Sequence, residues 1–123
     1  MARATGIGGV FFRSPDPAAT VEWYQRHLGI DPATDFTGSV VHWTGGETTV
    51  WGIFPQDTEY FGERGDESMI NFRVDDLDAV LDRLRDAGVT VDDHIEEIEP
   101  GRFGWAIDCD GRRIELWEPA PGH

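Results

Sequence analysis

Residues 69–76, Met69-Ile-Asn-Phe-Arg-Val-Asp-Asp76, restate residues 9–16, Gly9-Val-Phe-Phe-Arg-Ser-Pro-Asp16, sixty positions further along the chain. Each stretch reads as a short apolar strand that runs into a helix cap. The first strand starts at Ile7 and is stopped by Ser14-Pro15; Asp16 is then the N-cap, and Pro17 sits at the first helical position, where a missing N–H costs nothing. Ala18, Val21, Tyr24 and Leu28 recur at three- and four-residue spacing, which predicts an amphipathic helix of about three turns. Gly29 ends it. In the second copy Asp76 is the cap, Leu77, Val80, Leu81 and Leu84 form the apolar stripe, and Gly88 is the stop. Arg13 matches Arg73 and Asp16 matches Asp76. The chain is an internal repeat.

A hairpin follows each helix. Ser39-Val-Val-His-Trp43 and residues 48–54 flank Gly45-Gly46; residues 103–107 and Arg113-Ile-Glu-Leu-Trp117 flank Asp110-Gly111, a strong turn signal. A weaker strand is expected over residues 90–98, with a short, poorly defined counterpart over 30–36. Pro55 and Pro119 close the copies. The expected fold is therefore α+β: two tandem βαβββ modules, one over about 6–55 and one over about 68–119, joined by an acidic loop at 56–67 within a single domain spanning 1–123. If both turns hold an even number of residues, Val40 and His42 share a face with Thr49, Trp51 and Ile53, while Gly104 and Ala106 share one with Glu115 and Trp117. On that alternation Trp51 and Trp117 face inward, and Trp43 and Trp105 face away.

Composition narrows the function. Hydrophobic residues at 39% and charged residues at 28% are an ordinary globular balance. The ten basic residues are all Arg and face 24 acidic ones, a net charge of −14. Such a surface repels phosphate backbones and anionic lipid, so no nucleic-acid or membrane partner is expected. It attracts cations, or it serves only solubility. No apolar run approaches bilayer length, and Met1–Thr5 leads straight into a strand rather than a secretory signal; a cytoplasmic protein is expected. Cys109 stands alone, which excludes an internal disulfide framework and a Cys-based zinc site.

The segments Phe11-Phe-Arg-Ser-Pro-Asp16, Trp23-Tyr24, Leu28-Gly29, Phe72-Arg-Val-Asp-Asp76 and residues 108–116 resemble the vicinal oxygen chelate superfamily, which includes glyoxalase I, methylmalonyl-CoA epimerase, extradiol dioxygenases and bleomycin-resistance proteins. The resemblance implies a cupped mixed sheet around a cavity, a homodimer and a small-molecule ligand. It implies metal ligands early in the first strand and midway along the last strand of each module. Those positions fall on Gly9, Met69, Trp51 (or Gly52 with a one-residue slip) and Glu115, so one ligand of four survives and no cofactor is expected. The expected function is metal-free binding of a planar or cationic molecule, with Phe11, His42, Trp51, Met69, Asn71, Glu115 and Trp117 as lining candidates. The alternative is a divalent-metal or acid/base lyase, isomerase or dioxygenase in which Glu115 and His42 are the catalytic candidates.

Overall fold

The structure is a computed structural model and describes residues 1–43 and 45–123. The elements run β1 (Ala4–Ser14), α1 (Pro17–Leu28), β2 (Gly38–His42), β3 (Thr48–Pro55), β4 (Ser68–Val74), α2 (Leu77–Asp86), β5 (Glu96–Ile98), β6 (Gly101–Ile107) and β7 (Arg113–Pro119). Seven strands form one curled mixed sheet in the order β2-β3-β1-β4-β7-β6-β5. The repeat is visible in the pairing. β1 runs parallel to β3 as β4 runs parallel to β7, and the two modules meet where β1 and β4 pair antiparallel.

Both helices start as the sequence predicts. Asp16 and Asp76 accept hydrogen bonds from the backbone N–H of Ala19 and Ala79, each at 3.1 Å. Gly29 adopts the left-handed conformation (φ 68°) that caps α1. The helices cover the outer face of the sheet. There Val74, Leu77, Val80, Leu81 and Leu116 form the main core, and Gly104 lets Leu81 approach β6 closely. α1 contributes less: of its predicted stripe only Val21 is buried, and Leu28 remains 61% exposed.

Two weak strands differ from expectation. Residues 30–36 form no strand, because Pro32 has no N–H to donate and its Asp and Thr neighbours favour turns. The strand expected over 90–98 reduces to β5 and an isolated bridge between Val91 and Ala106. Asp92 and Asp93, poor strand formers, interrupt it.

The hairpins overturn the inferred alternation. β2 pairs with β3 as Val40–Val50 and His42–Thr48, so five residues, 43–47, separate the last ladder pair. β6 pairs with β7 as Trp105–Glu115 and Ile107–Arg113, again with five residues, 108–112, between. Each connection is closed by a backbone bond, Trp43 N–H to Glu47 and Asp108 N–H to Arg112, and carries a positive-φ glycine in its fourth place, Gly46 and Gly111. An odd connection exchanges the faces of one strand relative to its partner. Val40 and His42 therefore face inward with Thr48 and Val50, Trp51 faces outward, and Trp105 faces inward while Gly104 and Ala106 turn to the helices.

Candidate functional site

Glu115 lies at the centre of the inner face, 2% exposed, on a strand whose alternate residues Ile114 and Leu116 pack against the helix-side core. Its carboxylate is fully engaged. Asn71 Nδ2 donates to Oε1 at 2.6 Å, Trp105 Nε1 donates to Oε2 at 2.9 Å, and the Tyr60 hydroxyl donates to Oε2 as well. The parallel register of β4 and β7 sets Asn71 directly beside Glu115, and the β6–β7 ladder does the same for Trp105. Tyr60 comes from the segment between β3 and β4, which Arg13 pins by donating to the carbonyls of Gln56, Thr58 and Asp66. Burial pushes the Glu115 carboxyl above its ordinary value of 4.5, against the pull of its three donors; burial and the neighbouring Glu115 charge push the Tyr60 hydroxyl up too.

A raised folded-state pKa means that the native state holds this proton more tightly than the unfolded chain does. The stabilising share is complete below the ordinary carboxyl pKa of 4.5 and is lost as pH rises through the folded value. Urea denaturation across that window should show wild type losing stability relative to Glu115→Gln, whose amide does not titrate. A stability difference that does not change with pH would contradict this.

Beyond Glu115 the inner face opens as a cavity of about 680 Å³. Its walls are aromatic and aliphatic: Phe11, Phe36, Val40, Val50, Phe103 and Trp117. Phe103 and Trp117 stack in parallel, 5.9 Å between centroids and 2° apart. His42 and Thr48 stand on one side, and the acidic residues Asp35 and Glu99 also line the cavity. The other end of the cup is filled by Phe61, 1% exposed, which packs with Phe11 and Met69.

Of the lining candidates, Phe11, His42, Asn71, Glu115 and Trp117 border this cavity. Met69 lies in the apolar cluster beside it. Trp51 is a correction: it lies on the outer face with its ring against Tyr24 of α1, centroids 4.4 Å apart. His42 and Glu115 share the cavity, but no hydrogen bond joins them. Tyr60 and Trp105 were missed as site residues. The Tyr60-Phe61 pair inside an otherwise acidic loop was the available signal, since two adjacent aromatics there have no reason to stay in solvent.

One glycine makes room for Asn71 and Trp117 on the inner face. A Cβ at Gly8 would sit 2.1 Å from Asn71 Oδ1 and 2.9 Å from Trp117 Cε3. Gly8→Ala should therefore cost about 1–3 kcal/mol by overpacking. Gly6→Ala, with nothing within 4 Å, is the control on the same strand. Equal urea midpoints for the two variants would contradict the clash.

The sequence profile of the Glyoxalase/Bleomycin resistance protein/Dioxygenase superfamily matches residues 6–116. The chain belongs to this superfamily. Solved members of the glyoxalase-like fold superpose over almost its whole length. Methylmalonyl-CoA epimerase from Mycobacterium tuberculosis is 26% identical, with a TM-score of 0.70 over 96% of this chain and 90% of that one. A methylmalonyl-CoA epimerase in complex with methylmalonyl-CoA and NH4+ is 22% identical, with a TM-score of 0.78 over 98% and 99%. A Streptomyces coelicolor methylmalonyl-CoA epimerase variant in complex with 2-nitronate-propionyl-CoA is 23% identical, with a TM-score of 0.76 over 96% and 99%. No curated protein matches the chain by sequence.

The superfamily's divalent ion can be tested against the residues present. In the parallel ladders, Phe11–Gly52 is the counterpart of Asn71–Glu115, just as Arg13–Phe54 is the counterpart of Arg73–Trp117. The residue matching Glu115 is thus Gly52, not Trp51. Gly9, Gly52 and Met69 offer two absent side chains and one thioether. The remaining ligand, Glu115, already accepts from three donors. No group of three or more His, Cys, Asp or Glu side chains among the described residues is arranged to hold a metal ion. A divalent ion does not fit this site.

Proposed function

We propose that this chain is a binding protein of the superfamily that captures a planar, cationic small molecule in the inner-face cavity without a divalent metal. The observation that carries the reading is the replacement at Glu115: three protein donors occupy the carboxylate that metal-dependent members would direct at an ion. The half-buried Phe103 ring, backed by Trp117, offers a flat surface for stacking, and Asp35 and Glu99 favour positive charge. The net charge of −14 acts in the same direction and disfavours anionic acyl-CoA esters of the kind bound in the superposed epimerases. A homodimer belongs to the same proposal. Edge strand β2 leaves Val40 and Val41 more than a third exposed, and light scattering at micromolar concentration tests whether a second copy covers them.

Two titrations test the reading. Protein purified without chelator is assayed for metal and titrated with zinc, nickel, manganese and iron. It is then titrated with the acriflavinium cation while tryptophan emission is followed. Weak metal uptake with saturable quenching is expected. Stoichiometric tight metal binding, abolished by Glu115→Gln, would overturn the proposal, as would the absence of any quenching. Because Trp51 lies against α1, Trp51→Ala should leave dye affinity within about twofold of wild type. A tenfold loss would place the binding surface on the helix side instead.

A further inference from the structure

The sheet ends in two edge strands, β5 and β2, and the sequence treats them oppositely. β5 is three residues long and lies among five acidic residues, Asp92, Asp93, Glu96, Glu97 and Glu99. Short length and charge both keep a foreign strand from adding to an edge. β2 has neither protection. The 21 residues 36–56, which hold β2 and β3, carry a single formal charge, Glu47, in a chain with 10 basic and 24 acidic residues. Phe36, Val40 and Val41 are more than a third exposed along this edge, and Trp43 more than half. The backbone is open at the same place. Trp43 N–H bonds to Glu47 and Ile53 N–H to Thr37, so the odd-numbered residues of β2 turn their polar groups to β3. The even-numbered residues turn theirs outward. Of these, the Gly38 carbonyl accepts from Ala33 N–H at 2.8 Å, but beyond the β2–β3 ladder no backbone bond among the described residues reaches Val40 or His42.

Two copies of a chain with net charge −14 repel one another, and an uncharged, apolar edge is where they can approach. We infer that β2 pairs antiparallel with β2 of a second copy, Val41 opposite Val41, so that two seven-stranded sheets continue as one across a two-fold axis. The open groups set this register. Val40 and His42 offer both N–H and C=O, so each bonds to the other residue type across the axis, and Val41 meets its own copy. Residues opposite each other share a face. The partner subunit's His42 therefore stands beside Val40, on the inner face where Val40 and His42 line the cavity, and each cavity gains a wall from its neighbour. This inference rests on the homodimer reading and specifies its joint.

The experiment is sedimentation velocity over a micromolar concentration series at low and high salt, with Val41→Lys, Val41→Asp and their equimolar mixture beside wild type. Wild type should dimerise, more tightly at high salt, because salt screens the repulsion between two acidic copies. Each variant alone should dimerise at least about tenfold more weakly, since two apolar contacts become two opposed like charges. The mixture should regain the dimer, Lys against Asp. Variants that dimerise as wild type does, or a mixture no tighter than its components, overturn the β2 joint and leave the homodimer standing. Wild type that stays monomeric throughout overturns both, and saturable acriflavinium quenching by that monomer would leave cation capture intact. Should the variants not fold, amide hydrogen exchange on wild type decides. Protection of the Val40 and His42 amides that rises with protein concentration supports the joint; protection independent of concentration overturns it.

Discussion

Glu115→Ala should be the most damaging single truncation at the site, lowering the unfolding free energy by about 3 kcal/mol or more. The reason is the asymmetry of buried hydrogen bonds. Asn71 Nδ2, Trp105 Nε1 and the Tyr60 hydroxyl all terminate on this carboxylate, and removing it orphans all three. Each unsatisfied buried donor costs about 1–3 kcal/mol, well above the net worth of the bond it made. Relief from burying a charge offsets part of that, because the carboxyl sits in an environment that raises its pKa. Glu115→Gln should be far milder, within about 1.5 kcal/mol of wild type. Its oxygen can keep Tyr60 and Trp105, and Asn71 can turn its amide so that Oδ1 accepts from the new Gln nitrogen. The unpaired Asn71 oxygen would then gain an internal partner. Urea denaturation of the two variants at neutral pH checks the ordering. An Ala variant as stable as the Gln variant would mean the three donors have other partners.

The repeat made most of the fold legible. Strand, cap, stripe and glycine stop are written twice, and local chemistry at Asp16, Asp76 and Gly29 acts as read. What the sequence hid was parity. Gly45-Gly46 and Asp110-Gly111 suggest two-residue turns, whereas both ladders end five residues apart. In the second, the Asp108 carboxylate accepts from the N–H of Asp110 and of Arg112, each at 2.9 Å, and this stabilises the wider connection. The odd number of residues in each connection puts Trp51 outside the cup and Trp105 inside it. Glu115 and Trp117 escaped the error because β7 is also fixed by its parallel pairing to β4. Tyr60 was hidden for another reason: its place depends on Arg13 capturing three carbonyls of a loop with no periodic pattern. Contacts more than forty residues apart leave no local trace in a single sequence.

Trp117→Ala should cost about 3–5 kcal/mol and also remove the ring that backs Phe103 at the cavity wall. The indole is 3% exposed and held on every side. Phe103 stacks on it, the Arg73 guanidinium carbon lies 4.8 Å from its ring centroid, and its Nε1 donates to the Pro100 carbonyl at 2.9 Å. Truncation therefore opens a void, frees Arg73 from a cation–π contact of about 0.5–1 kcal/mol and leaves the Pro100 oxygen with the Ala120 N–H alone. Stability and binding are separable with Trp117→Phe. That variant keeps an aromatic face, loses the bond to Pro100 and should fall by only about 1–2 kcal/mol. In the folded Phe variant, acriflavinium should still bind, several-fold more weakly, but most of the tryptophan quenching should vanish, because the indole nearest the dye is gone. Trp51→Phe, altering a ring on the opposite face of the sheet, should keep the quenching. If the two variants exchange these behaviours, the bound cation lies against α1, and the cavity beside Glu115 is not where it binds.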